Sequence, residues 1–153
     1  MHRALLPIVA VLALAACQQR PAAPAPEAPA VKTVPLRSVE WTCTWISAEG
    51  TTLEPPADGA PTLRIEPPAD ATGFAGVNRF GGTAELAAGE PGPEGAIRFP
   101  ALGATKMAGP PERMALERAY FAALRNAARY RISGTELLLE GSSGPVVRFR
   151  AGP

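Results

Sequence analysis

GFAGVNRFGG, residues 73–82, sets glycines 73, 76, 81 and 82 around an Asn-Arg pair and two phenylalanines. A glycine loop that cradles a phosphate follows a strand, opens a helix and sits inside a βαβ unit. This stretch runs instead into Thr83-Ala-Glu-Leu86, which alternates as a strand does, and it contains neither G-x-G-x-x-G nor the Lys-Ser/Thr of a P-loop. It therefore supplies turns between antiparallel strands. Asn78 suits such a turn, because asparagine tolerates the left-handed region and bonds nearby backbone.

The period of two continues on both sides. Glu40–Ser47, Thr62–Glu66, Arg79–Leu86 and Ala96–Pro100 read as short strands separated by Pro, Gly or Asp-Gly. Tyr130–Ser133, Glu136–Glu140 and Val146–Arg150, joined by Gly134-Thr135 and by GSSG at 141–144, read as an antiparallel meander. Between the two groups, PPERMALERAYFAALRNAARY predicts one amphipathic helix from Pro111 to Ala128, with proline at its start and Glu112 near its positive end. Its apolar stripe is Met114, Phe121, Leu124 and Ala128, flanked by Tyr120 and Ala127. Arg125, Arg129 and Arg131 fall at or beyond its end, where cations suit the dipole. The fold class expected is α+β, a curved, barrel-like antiparallel sheet of short strands with one helix packed on it. The sheet side of the core is expected from Trp41, Trp45, Leu63, Ile65, Phe99, Leu137 and Leu139, with Phe121 buried against it.

Most catalytic designs lack their residues. The single histidine is His2, so Ser-His-Asp triads, Cys-His dyads and the usual zinc sites have no imidazole beyond the N-terminus. Acidic residues are scattered, with no D-x-D loop or paired pattern for calcium or glycoside chemistry. No catalytic residue, cofactor or metal is expected. In EWTCTWIS, Cys43 alternates with Trp41 and Trp45 on one strand face and reads as a buried small apolar residue. A reactive thiol there would need a neighbouring base or cation.

The N-terminus has a basic start at Met1-His2-Arg3, then an apolar run from Ala4 to Ala16. At ~1.5 Å per residue that run spans about 20 Å, short of a ~30 Å hydrocarbon core, so it reads as an export signal rather than a membrane span. Leu14-Ala15-Ala16-Cys17 resembles the lipobox of bacterial lipoproteins, which implies lipidation at Cys17 and a mature chain beginning there. The competing pattern, Ala13-Leu14-Ala15, would suit an ordinary secretory signal. Gln18, where inner-membrane lipoproteins carry Asp, implies sorting to the outer membrane of a Gram-negative envelope, facing the periplasm. With Cys17 lipidated, Cys43 has no partner for an intramolecular disulfide. Residues 17–38 read as the lipidated cysteine and a Pro/Ala-rich tether, and residues 39–151 as a single domain. Loss of Arg3 with the signal balances Lys+Arg against Asp+Glu, which argues against nucleic acid as a partner.

Four blocks also resemble the META/HslJ domain family. They are Gly73-Phe-Ala-Gly-Val-Asn-Arg-Phe80, Thr105-Lys-Met-Ala-Gly109, Met114-Ala-Leu-Glu117 and Tyr130-Arg-Ile-Ser-Gly-Thr-Glu-Leu-Leu-Leu139. The signature residues are Gly73, Gly76, Asn78, Phe80, Met107, Glu117, Tyr130 and Gly134, all with structural rather than catalytic roles. Both cysteines of the family signature are replaced here, by Val77 and Gly109. The resemblance implies a small α+β fold and a link to heat or antibiotic stress in bacterial relatives, without a catalytic mechanism to transfer. The expected function is a non-enzymatic lipoprotein acting through an envelope protein partner. A module binding a small ligand or peptide is the alternative, and a hydrolase relying on carboxylates alone is the weakest.

Overall fold

The computed structural model describes residues 33–87 and 91–152. The signal sequence (1–16), Cys17 and the tether as far as residue 32 lie outside the described residues. The strands are β1 (Glu40–Ala48), β2 (Thr51–Leu53), β3 (Thr62–Glu66), β4 (Asp70–Phe74), β5 (Arg79–Leu86), β6 (Glu94–Ala104), β7 (Arg129–Ser133), β8 (Glu136–Gly141) and β9 (Gly144–Ala151), with helix α1 (Pro111–Asn126) between β6 and β7. Neighbours pair antiparallel in the order β1-β3-β4-β5-β6-β7-β8-β9, and β9 pairs back onto β1. The sheet is thus a closed eight-stranded barrel, and closure leaves its eight strands without an open edge. The ninth strand, β2, pairs only with the end of β1, through Ile46↔Leu53 to Ala48↔Thr51. The connection between them places Glu49 and Gly50 at φ 52° and 76°, the twist that a two-residue hairpin requires.

Three register shifts bend the strands. In β1 the shift lies between Cys43, opposite Phe149, and Trp45, opposite Arg148. Thr44 is the extra residue, and after it the in-out alternation reverses. Trp41, Cys43, Ile46 and Ala48 consequently face the core. Trp45 does not share their face, contrary to the simple alternation; it lies partly exposed, with the Arg148 guanidinium 5.1 Å from its ring centroid. The shifts in β5–β6 and β8–β9 fall beside Pro100 and Pro145, whose missing N–H suits an interrupted ladder.

Helix α1 starts at Pro111 with Pro110 as its N-cap, carries Glu112 in the first turn and Arg125 in the last, and ends at Asn126. Arg129 and Arg131 are not at its terminus. They point outward from β7, where Arg131 pairs with Glu94 at 3.6 Å. The helix buries Leu116, Glu117, Tyr120, Ala123 and Leu124 against the barrel, with Ala127 just beyond its end. That face is rotated from the expected stripe. Tyr120 is the fully buried ring, in edge contact with Phe80 and Phe149, while Phe121 is only half-buried.

The folded unit begins at Val34 rather than at Val39. The Val34 N–H donates to the Gly134 carbonyl at 3.1 Å, and Leu36 is 1% exposed, its own carbonyl accepting from Trp41 Nε1 at 3.0 Å. At the other terminus the Gly152 N–H donates to the Glu40 carbonyl at 2.8 Å.

Candidate functional site

Residues 73–82 span the end of β4, a tight connection and the start of β5. The Ala75 N–H donates to the Asn78 carbonyl at 2.8 Å, leaving Gly76 and Val77 between them. Gly76 has φ 116°, a value side chains rarely adopt. Asn78 is not in the left-handed region, so the turn needs it for a different reason. At Gly73 a Cβ would lie 2.0 Å from the Thr62 carbonyl oxygen and 2.7 Å from the Phe80 ring. The glycine is there because two backbones and an aromatic ring meet.

Asn78 is 2% exposed and uses its whole amide. Its Oδ1 accepts from Thr105 Oγ1 at 2.8 Å and from the Met107 N–H at 2.7 Å. Its Nδ2 donates to Glu117 Oε1 at 3.0 Å and Oε2 at 3.2 Å, and to the Met107 carbonyl at 3.2 Å. The Asn78 backbone N–H also donates to Glu117 Oε2, at 2.8 Å. One asparagine thus ties the β4–β5 turn, the loop after β6 and the first half of α1 together. A buried carboxylate is tolerable when charge-assisted donors surround it, and Glu117, 8% exposed, has them.

Of the signature residues, Gly76, Asn78, Met107 and Glu117 meet in this cluster, with Gly73 and Phe80 behind it. Met107 takes part through its backbone, and its residue surface is 63% exposed. Tyr130 and Gly134 lie elsewhere: the Tyr130 hydroxyl donates to the Gly92 carbonyl at 3.1 Å, and Gly134, at φ 58°, turns β7 into β8. Thr105 belongs to the cluster as well, although only its place in the T-K-M-A block marked it.

The other candidate is Cys43. It is 2% exposed, its thiol faces the Trp45 carbonyl at 3.6 Å, and burial pushes it up to about 12. At neutral pH it is a thiol, which is neither nucleophile nor metal ligand. Burial likewise pushes the Tyr120 phenol well above its ordinary value, with Cys43 adding to the effect, and the hydroxyl donates to the Thr62 carbonyl at 3.0 Å. Among the described residues no group of three His, Cys, Asp or Glu side chains is placed to hold a metal ion.

The family model for the META domain matches residues 34–153. The chain belongs to the META domain family. The match begins at the residue where Val34 joins the barrel. No curated protein matches the sequence. A protein from Burkholderia xenovorans, solved by NMR, is similar: 25% identical, with a TM-score of 0.62, over 84% of this chain and 97% of that one. The Asn78–Glu117 cluster falls within the META domain and joins three of the four sequence blocks.

Proposed function

We propose that this META-domain chain is an outer-membrane-anchored periplasmic lipoprotein of non-enzymatic type, which supports the envelope or its response to stress through contact with another protein. The observation that carries the reading is the order of segments: a lipobox-like Leu14-Ala15-Ala16-Cys17, a Pro/Ala-rich stretch, then a folded unit opening at Val34. Lipid attached to Cys17 would supply the anchor, at ~0.8 kcal/mol per buried methylene. The stretch to residue 32 is long enough to hold the domain clear of the headgroups. Asn78 and Glu117 direct their polar atoms at one another and at the backbone, as a structural pin does, and this supports a scaffold that presents a surface.

Mass spectrometry of the N-terminal peptide, with fractionation of cells carrying wild-type protein or Cys17→Ser, tests the anchor. Wild-type protein should partition with outer membranes and carry acyl mass on Cys17; the variant should accumulate as precursor or as soluble periplasmic product. Wild-type protein found wholly soluble and without lipid would defeat the reading.

A further inference from the structure

A groove of about 530 Å³ runs between the β1–β2 hairpin and α1. Its apolar lining comes from Ala48 and Leu53 on the hairpin and Ala119, Phe121 and Ala122 on the helix. Phe121 is the half-buried ring of the helix, held edge-on against Phe80 at 5.6 Å between centroids. Arg118 and Arg125 rise beside it, both exposed, and neither forms an ion pair among the described residues. Arg64, Arg113, Arg131 and Arg150, by contrast, each have a carboxylate partner. The single acid on the groove is Glu49, on the hairpin wall, so the helix wall is purely cationic. The hairpin wall ends in β2, the strand with one neighbour, whose outer edge leaves backbone donors and acceptors unpaired.

Two spacings identify what fits. Seven helical residues separate the two guanidinium-bearing positions, about 10.5 Å along the axis. In an extended chain residues i and i+4 point the same way about 13 Å apart, within reach of two long, exposed arginine side chains. We propose that the groove docks an extended acidic segment of a partner polypeptide, with apolar side chains against Leu53, Ala119 and Phe121 and two carboxylates, four residues apart and so on one face of the segment, on Arg118 and Arg125. An extended segment suits the site because one wall offers unpaired strand backbone and the other offers charge, the two elements that strand addition and acidic-motif recognition use. The inference rests on the proposed role in protein contact for the partner being a polypeptide, and it does not depend on the anchor at Cys17.

The test is a phage-displayed library of random dodecapeptides panned on the full chain carrying Cys17→Ser. Enriched sequences should carry Asp or Glu at positions i and i+4 with an apolar residue at i+2 or beside them. A synthetic enriched peptide, followed by fluorescence anisotropy, should bind Arg118→Glu/Arg125→Glu weaker by about tenfold or more, with the circular-dichroism spectrum of that variant unchanged. Exchanging the two acids of the peptide for lysine should restore binding to the doubly reversed protein. Failure of any sequence to enrich, or equal binding by both proteins, overturns the proposal. Phosphatidylglycerol vesicles that bind wild type but not the reversed variant, while peptides bind neither, would assign the arginines to a lipid surface and overturn it too. A chain found without lipid on Cys17 would remove the membrane location and leave these outcomes unchanged, so the two readings fail separately.

Discussion

Asn78→Asp replaces one nitrogen by oxygen and should remove about a third or more of the protein's stability at neutral pH. In the wild type Nδ2 stands 3.0 and 3.2 Å from the two oxygens of Glu117 and also reaches the Met107 carbonyl at 3.2 Å. The substitution removes those donations, and a hydrogen bond to a charged group is worth about 1.5–3 kcal/mol. It also sets carboxylate against carboxylate at a distance where, with an effective dielectric constant of 20, repulsion is on the order of 4 kcal/mol. Some relaxation is available, because the turn is at the barrel rim, so the net loss should be about 5 kcal/mol. A domain of this size has about 5–15 kcal/mol in all. The repulsion needs both groups charged, so the loss should shrink as the pH is lowered and one proton shared by the two carboxyls restores a donor.

Urea unfolding at neutral and at acidic pH measures this directly, and a second substitution controls for general damage. In Asn78→Asp/Glu117→Gln the amide changes sides: the glutamine oxygen can accept from the residue-78 backbone and its nitrogen can donate to the new carboxylate. The double variant should therefore recover more than half of what Asn78→Asp loses. The reasoning is refuted if Asn78→Asp has the wild-type midpoint at neutral pH, or if adding Glu117→Gln makes it less stable still.

Three other outcomes follow from the same structure. Tyr120→Ala should cost about 3–5 kcal/mol, because the ring is fully buried, whereas Phe121→Ala, half-buried on the groove side, should cost about 1–2 kcal/mol; denaturant midpoints rank them. Cys43 and Tyr120 both titrate higher in the folded chain than when unfolded, so their stabilising contribution is complete below their ordinary values of 9.0 and 10.0. Melting temperature should accordingly fall as pH rises from 9 towards the Cys43 value of about 12, and Cys43→Ala should reduce the early part of that fall. A Cβ at Gly109 would lie 3.5 Å from Val77 Cβ, within the disulfide range, and the valine methyls that crowd it at 2.8 and 3.0 Å disappear in Val77→Cys. Val77→Cys/Gly109→Cys should cross-link on oxidation, and closing a loop of roughly 30 residues should raise stability by about 3.5 kcal/mol, read as a reductant-sensitive shift in melting.

The alternating period located seven of the strands and the paired prolines located the helix start, because those features are local. β2 and β4 escaped for local reasons too: Thr51–Leu53 is too short to show a period, and Asp70–Phe74 contains the glycine that Phe80 and Thr62 require. Trp45 was misplaced because a bulge adds one residue without altering composition, and every later side chain changes face. Leu36 was lost in a Pro/Ala background that disguises one anchoring side chain. On the helix, hydropathy favoured Phe121 and treated Glu117 as a solvent residue, yet Glu117 is the more deeply buried of the two. Its burial depends on Asn78, 39 positions away in the chain. No periodicity carries a contact of that range; only the family signature singled out both residues.

That contact also fixes how the helix presents itself. Glu117 and Arg118 are neighbours on α1 and face in different directions, one into the pin with Asn78 and one onto the groove. A helix resting on an apolar stripe alone can roll by small angles, since alanines and leucines repack at low cost. Hydrogen bonds from the Asn78 backbone and amide to both oxygens of one carboxylate remove that freedom. Arg118 and Arg125, seven positions apart on the same side, then keep their bases turned toward the groove, so a bound segment has less ordering to impose. Glu117→Gln retains an acceptor for the Asn78 backbone but loses charge and one acceptor oxygen. It should leave the barrel folded and loosen this setting, weakening the peptide complex mainly through faster dissociation. Weakening without loss of fold would locate the influence of the pin in the placement of the arginines; unchanged dissociation from a less stable protein would confine the pin to stability.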